Sequence, residues 1–367
     1  MFKLRVLQAN YGDSLTLEYD DGGQMRYALI DGGPAGTYKR SLKDEMKRIA
    51  DAGGALDFVA ISHVDGDHIS GVLDLFSQLE AEQAAGEPPL IGVRALWLNS
   101  FSKAIDQDDG IQSRFMAAMN SAAGAPAMLH SGMALQGIFQ GNKLRIKALQ
   151  LGIDINPGFP ENLVMTDSAP EIQLGDLTIT IVGPTKANLD ALQDEWKEWL
   201  DDNEPAITSG DPQALANADK SIPNLSSIMF LAETSGKTVL FTGDGRSDHL
   251  LDGLGDAGLL DGNGSVHINV LKVPHHGSDR NATRTFFKKV TADTYVISAN
   301  GHPDNPDLST LIWIVESAHE QNRQIKLIFT NETRSVEKLR EEYPPAMHGY
   351  ELEVMPSHFW FHELVLA

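Results

Sequence analysis

The stretch Ser62-His63-Val64-Asp65-Gly66-Asp67-His68 places two imidazoles and two carboxylates within six residues, directly after the mostly apolar run Leu56 to Ile61. A strand end followed by a glycine-containing turn can fan such side chains toward one point. Imidazole suits zinc, iron and manganese, while added carboxylates favour harder ions and can bridge two metals. His63 with Asp65 could serve one ion, and Asp67 with His68 a second. Two later segments share this build. Thr242-Gly243-Asp244-Gly245 closes an apolar strand, although a lone aspartate there is a helix cap as readily as a ligand. Lys272-Val273-Pro274-His275-His276-Gly277-Ser278 closes another. Pro274 keeps the chain extended, and Gly277 permits a sharp turn that re-aims the two imidazoles. Two cations a few ångströms apart can hold a hydroxide nucleophile at neutral pH and neutralise charge building on a phosphoryl or acyl oxygen. No serine or cysteine nucleophile is then needed, and the chain has neither a cysteine nor a Gly-x-Ser-x-Gly elbow.

These segments must be carried by short strands. Phe2 to Leu7, Leu15 to Tyr19 and Arg26 to Ile30 read as strands, the last ending at Asp31-Gly32-Gly33. A polar helix over Tyr38 to Ala52 stops at Gly53-Gly54. Leu56 to Ile61 has the pattern of a strand buried on both faces. Val93 to Leu98 and Leu177 to Val182 are further strands, and Ala187 to Leu200 carries Leu189, Leu192, Trp196 and Trp199 at helical spacing. Ile228 to Ala232, Thr238 to Phe241, His267 to Val273, Tyr295 to Ser298 and Ile325 to Phe329 complete the strands, with a helix over Leu308 to Gln321. Asp201 to Lys220, broken by Pro205, Gly210 and Pro212, reads as a surface loop. The two halves echo each other: strand, Asp31-Gly32, helix, strand, His63, then strand, Asp244-Gly245, helix, strand, His275. Such alternation points to an α/β protein with sheets between helices.

Composition narrows the function. Of 367 residues, 42% are hydrophobic and 22% charged, as in a folded globular protein. The net charge of −22 repels nucleic-acid phosphates and anionic lipid except where bound cations reverse the sign locally. Without cysteine, disulfides and thiolate-bound zinc are excluded. The first twenty residues lack the basic head and apolar run of a signal peptide, and no window reaches the length of a membrane span. A cytoplasmic protein without membrane contact is expected.

Together the three ligand-bearing segments resemble the metallo-β-lactamase fold superfamily, and within it the hydrolase domain of competence-type DNA-uptake proteins and its stand-alone bacterial relatives. The superfamily's first motif is His-x-His-x-Asp-His; here Asp65 gives His-x-Asp-x-Asp-His, the mark of that branch. Gly12-Asp13-Ser14, Asp31-Gly32-Gly33, Asn224-Leu225-Ser226-Ser227, Phe241-Thr242-Gly243-Asp244, LKVPHHGS from Leu271 to Ser278 and ISANGHP from Ile297 to Pro303 match the same branch. The matches run from about residue 3 to 330, apart from roughly 100 to 170.

The resemblance implies one αββα four-layer sandwich over residues 1–367, with an insertion at 100–170 and a C-terminal extension, 331–367, packing on the core. It implies two divalent ions, Zn²⁺ or Mn²⁺. His63 and Asp65 would bind the first, Asp67 and His68 the second, with Asp244 bridging and His275 completing the second site. Asn224 stands where most members carry a further histidine, which leaves the first site the weaker. Asp67 is the expected residue to orient or deprotonate the attacking water. His276 and His302 are candidates to protonate the leaving group or grip a phosphate, or are turn residues only. Asn224 and Ser278 are the expected substrate contacts. Asp31 would support a ligating imidazole from behind, while Asp13 and Ser14 are structural. His130, His249, His267, His348, His358 and His362 lack ligand-like neighbours. The run His358 to His362 reads as a terminal strand, and Trp196 with Trp199 as a buried helix face. The implied activity is a metal-dependent phosphodiesterase on a nucleotide or short nucleic acid. The alternatives are a lactone, thioester or lactam hydrolase, and a non-catalytic metal-binding regulatory domain.

Overall fold

In the computed structural model, residues 1–99, 133–167, 171–209 and 226–367 are described. The first half runs β1 (Phe2–Leu7), β2 (Leu15–Asp21), β3 (Gln24–Ile30), α1 (Lys43–Asp51), β4 (Leu56–Ile61), α2 (Gly66–Ala85), β5 (Ala95–Leu98), α3 (Met133–Gln150) and β6 (Asp154–Ile155). The chain continues through β7 (Ile172–Leu174), β8 (Leu177–Gly183), α4 (Lys186–Ser209), β9 (Met229–Thr234), β10 (Lys237–Phe241), α5 (Ser247–Asp256) and β11 (Val266–Lys272). It ends with α6 (Arg284–Lys289), β12 (Val290–Ile297), α7 (Leu308–Glu320), β13 (Ile325–Phe329), α8 (Arg334–Glu342), β14 (Tyr350–Val354) and β15 (Phe361–Val365).

One sheet has the order β15-β1-β2-β3-β4-β5-β6, the other β14-β13-β12-β11-β10-β9-β8-β7. Period-two alternation makes each sheet two-sided. Phe2, Leu4, Val6 and Leu17 of the first sheet meet Ile179, Ile181, Phe230 and Phe241 of the second in the central core. The first sheet's outer face is covered by Met46 of α1, Val72 and Phe76 of α2 and Leu144 of α3. Leu250, Phe286, Leu311 and Leu339 cover the second sheet from α5 to α8. The protein is the α/β, four-layer αββα sandwich expected from the sequence.

Residues 331–367 supply a strand to each sheet: β14 pairs in parallel with β13, and β15 antiparallel with β1. Arg5 ties this last strand down. Its buried guanidinium pairs with Glu45 at 3.1 Å and Glu363 at 2.6 Å and lies 3.6 Å from the Phe361 ring centre. His358 lies just before that strand, which begins at Phe361.

One sequence expectation needs correction. The surface loop expected over 201–220 is helical to Ser209, because α4 runs on through Pro205. A proline removes one helical hydrogen bond but does not always end a helix; residues 210–220 lie outside the described part. Within the 100–170 insertion, 100–132 and 168–170 lie outside the described residues, but the remainder holds α3, packed on α2. Glycines let α3 reach the ligand-bearing turn: a Cβ on Gly137 would lie 3.1 Å from the Val64 carbonyl oxygen, and one on Gly141 2.8 Å from Val64 Cγ1.

Parallel pairing of β3 with β4, and of β10 through β13, points their carboxyl ends the same way within each sheet. The turns after β3, β4, β10 and β11 carry Asp31, the His63–His68 run, Asp244 and the tandem histidines. Close backbone approach fixes them. A Cβ on Gly71 of α2 would overlap the Gly32 carbonyl oxygen behind Asp31. Gly71→Ala should therefore lower the unfolding free energy by about 1–3 kcal/mol, as overpacking does, in urea denaturation; unchanged stability would contradict this approach.

Candidate metal centre

Each ligand-type side chain is aimed by its own local device. His63 follows β4, Asp65 precedes α2, and Asp67 and His68 lie in the first helical turn. Gly243, with φ of +48°, turns the chain after β10, and a Cβ there would lie 2.7 Å from Ser62 Cβ. The absent side chain lets the two halves meet. His275 and His276 adopt φ of +46° and +55°, left-handed values that cost a non-glycine residue roughly 1–2 kcal/mol each. This turn splays successive imidazoles, with ring centres 6.0 Å apart and planes at 83°.

All four imidazoles are tied at Nδ1 and present Nε2 to the buried carboxylate of Asp244. His63 Nδ1 donates to Ser62 Oγ at 3.1 Å, and His68 Nδ1 to Asp31 Oδ2 at 2.8 Å. His275 Nδ1 donates to Asn281 Oδ1 at 2.8 Å, and His276 Nδ1 to the Ser298 carbonyl at 2.9 Å. Asp31 is itself fixed, accepting from the Ser62 amide and hydroxyl at 2.7 Å each. On the other side, Asp244 Oδ2 faces His63 Nε2 at 3.7 Å and His275 Nε2 at 3.5 Å. Its Oδ1 faces His68 Nε2 at 3.2 Å and His276 Nε2 at 3.5 Å. Asp65 Oδ2 approaches His63 Nε2 at 3.5 Å, and Asp67 Oδ2 approaches His276 Nε2 at 3.4 Å. The side chains of His63, His68, Asp244 and His276 are at most 4% exposed, whereas Asp65, Asp67 and His275 are 39%, 26% and 32% exposed and mark the open side.

The donor set fits divalent cations. His63 Nε2 is buried without a hydrogen-bond partner. Ligand atoms of His63, Asp67 and His68 lie within 4.8 Å of one another, as do those of Asp13, His68, Asp244 and His276. Tying Nδ1 fixes the tautomer that leaves Nε2 for a metal.

The structure groups the tandem histidines differently from the expectation. His275, expected with Asp67 and His68, shares Asp244 Oδ2 with His63, while His276, expected to meet a leaving group or phosphate or to be a turn residue only, shares Oδ1 with His68. The two left-handed residues in succession are the cause, and nothing in the spacing betrays them. His302 is exposed on the rim, its ring centre 5.3 Å from that of Tyr11. Ser278 is buried in the turn, its amide donating to the His275 carbonyl at 2.9 Å and its Oγ accepting from the Arg280 amide at 3.4 Å. Asn224 lies outside the described residues, as do His130 and the side chains of Trp196 and Trp199. Among the described residues, His249, His267, His348, His358 and His362 join no metal-type cluster. Sequence reasoning missed Asn281, which also donates to the Asp244 carbonyl at 3.0 Å, and Lys272 and Tyr11. Asn281 stands six residues beyond His275, a spacing that carries no signal by itself.

No family model matches the chain, and no curated protein does. Solved structures do resemble it. A diphosphatase of the PhnP family shares 12% identity at a TM-score of 0.42, covering 100% of this chain and 98% of its own. Zn²⁺-bound PqqB from Methylobacterium extorquens shares 11% identity at 0.40, covering 99% and 100%. A beta-lactamase domain protein from Burkholderia ambifaria shares 14% identity at 0.28, covering 69% and 60%. The site stands on its own geometry.

Electrostatics make this cluster a proton store when no cation neutralises it. Burial raises the Asp244 carboxyl, yet His275, His276, His68 and His63 hold it well below the usual carboxylate range. Burial lowers His68, but Asp244, Asp31 and Asp67 raise it well above an ordinary imidazole. His63 is likewise raised, burial and His68 being outweighed by Asp244 and Asp65. A raised imidazole stabilises the metal-free fold fully below its unfolded pKa, and that contribution is lost as pH rises through the folded value. A metal needs the deprotonated ring, so binding must release protons. Calorimetric titration with Zn²⁺ in buffers of different ionisation enthalpy should show net proton release near neutral pH, and affinity should fall from about pH 8 to about pH 6. Binding without proton release would contradict this charge assignment.

Proposed function

We propose that this protein is a metal-dependent hydrolase that holds two divalent ions astride Asp244 and cleaves phosphodiester bonds in nucleotides or short nucleic acids. The observation that carries it is the division of four Nδ1-tethered imidazoles into two pairs, one on each oxygen of Asp244. His63, Asp65 and His275 would hold one ion with Oδ2, and Asp67, His68 and His276 the other with Oδ1. Mixed imidazole and carboxylate ligands suit Zn²⁺ and Mn²⁺. Such a pair supplies Lewis acidity toward a phosphoryl oxygen and lowers the pKa of water.

The chain's own groups do the rest. Asp67 is part-exposed on the open side and stands where a carboxylate can orient water and take its proton. His302 and Tyr11 form the rim beside it. Burial and Asp67 both raise the Tyr11 phenol, so it stays a hydrogen-bond donor, and either ring can present a proton to a departing oxygen. The branch-specific His-x-Asp-x-Asp-His and LKVPHHGS segments favour a phosphodiester over an acyl bond. A net charge of −22 favours a small substrate over a duplex, whose binding needs an extended basic surface.

Protein loaded with Mn²⁺ or Zn²⁺ should hydrolyse bis(p-nitrophenyl) phosphate. His68→Ala and Asp244→Ala should each reduce kcat/KM by at least about a thousandfold, as loss of a cation that stabilises developing charge implies. Absence of turnover with either metal, or faster turnover of lactones in a parallel panel, would overturn the proposal.

A further inference from the structure

Behind the Oδ1 pair of imidazoles, on their Nδ1 side, lies an ion pair to which the proposed ligand assignment gives no role. Asp13, in the turn between β1 and β2, and Lys272, the last residue of β11, are each 1% exposed and form a salt bridge. Among the described residues Lys272 has no other carboxylate partner; its ammonium is otherwise 3.5 Å from the Gly243 carbonyl, one residue before Asp244. A buried pair of this kind is weak evidence for stability, because desolvating both charges offsets their attraction. Its surroundings point to another role. Asp13 Oδ2 lies 3.9 Å from His68 Nδ1, and Oδ1 lies 3.8 Å from His276 Nδ1. Asp13 Oδ1 is buried and accepts no hydrogen bond. The turn cannot drift, because the Asp13 amide donates to the Asp67 carbonyl at 3.3 Å and a Cβ on Gly12 would overlap that oxygen.

The two halves of the cluster therefore differ behind their rings. His63 and His275 are backed by neutral oxygens of Ser62 and Asn281. His68 donates to the Asp31 carboxylate and His276 to the neutral Ser298 carbonyl, but the Asp13 carboxylate lies 3.8–3.9 Å behind both rings and behind neither His63 nor His275. A carboxylate hydrogen-bonded behind an imidazole makes the ring a more basic ligand, and losing such a partner typically costs about 10–100-fold in metal affinity. Asp13, 3.8–3.9 Å from both rings, adds charge of the same sign without a hydrogen bond, a smaller effect spread over two ligands. Lys272 occupies one oxygen of Asp13 and holds the carboxylate on the Nδ1 side of the rings.

We infer that Asp13, anchored by Lys272, is a positioning residue that makes the Asp67–His68–His276 position the tighter of the two metal sites. The inference rests on the dinuclear reading above, and titration of metal-free protein with Co²⁺, followed by calorimetry and visible absorption, separates the two. Wild type should bind two equivalents in two steps, and His63→Ala should keep the tighter one. Asp13→Asn should weaken that tighter step about three- to tenfold, below the loss of a hydrogen-bonded partner, and alter its cobalt absorption, leaving the weaker step within about twofold. Because Asp13→Asn strands a buried ammonium, Asp13→Asn/Lys272→Met serves as the second variant. It should fold, by circular dichroism, and show the same selective weakening. A folded double variant with both steps and the spectrum unchanged would overturn the role of Asp13 alone. Fewer than two equivalents in wild type would overturn the dinuclear reading and this inference with it.

Discussion

A single carboxylate, buried between two sheets and faced by four imidazoles, is the constraint around which the structure is organised. Asp244 could not remain ionised there without charged or metal-bound partners, because an isolated buried carboxylate neutralises instead. Its partners come from both halves of the chain, so neither half can satisfy it alone. The glycine approaches follow from this. Gly243 must lack a Cβ so that Asp244 can come up against the Ser62–His63 turn, and Gly12 must lack one so that Asp13 can lie behind His68. The central core of Phe2, Leu17, Ile179 and Phe230 is what brings the two sheets' strand ends into one cleft.

Much of this was legible in the sequence, for identifiable reasons. Leu56 to Ile61 and Ile325 to Phe329 match their strands end to end, because apolar runs bounded by turns leave few alternatives. The clustering of the His63–His68 side chains was legible because one strand end and one helix turn carry them all. The resemblance implied Asp31 behind an imidazole, without saying which; the echo of the Asp31 and Asp244 strand ends is matched in that each of these strands is the parallel neighbour of the one leading to the histidines. The pairing of His275 and His276 was hidden, since it depends on left-handed backbone at two residues other than glycine. Lys272 was hidden because it closes an apolar strand as any amphipathic lysine could; only burial against Asp13 reveals it. Helix beyond Leu200 was hidden by Pro205, a residue that composition counts as a breaker but that a long helix tolerates.

The same electrostatics bear on how a chain of net charge −22 could admit the anionic substrate proposed above. The clustered carboxylates Asp65, Asp67 and Asp244 face imidazoles, Asp31 is hydrogen-bonded to His68, and Asp13 is paired with Lys272. Were divalent cations bound there, the open side at Asp65, Asp67 and His275 would become a locally positive place on an otherwise acidic surface. Attraction is then confined to the cleft, which favours compact anions over extended polyanions.

The most direct measurement is anomalous X-ray diffraction from crystals grown with Mn²⁺ or Zn²⁺, recorded on both sides of the metal's absorption edge. The account requires two peaks flanking the Asp244 carboxylate, one contacting His63 and His275, the other His68 and His276. A single peak, peaks away from Asp244, or none at saturating metal would contradict it.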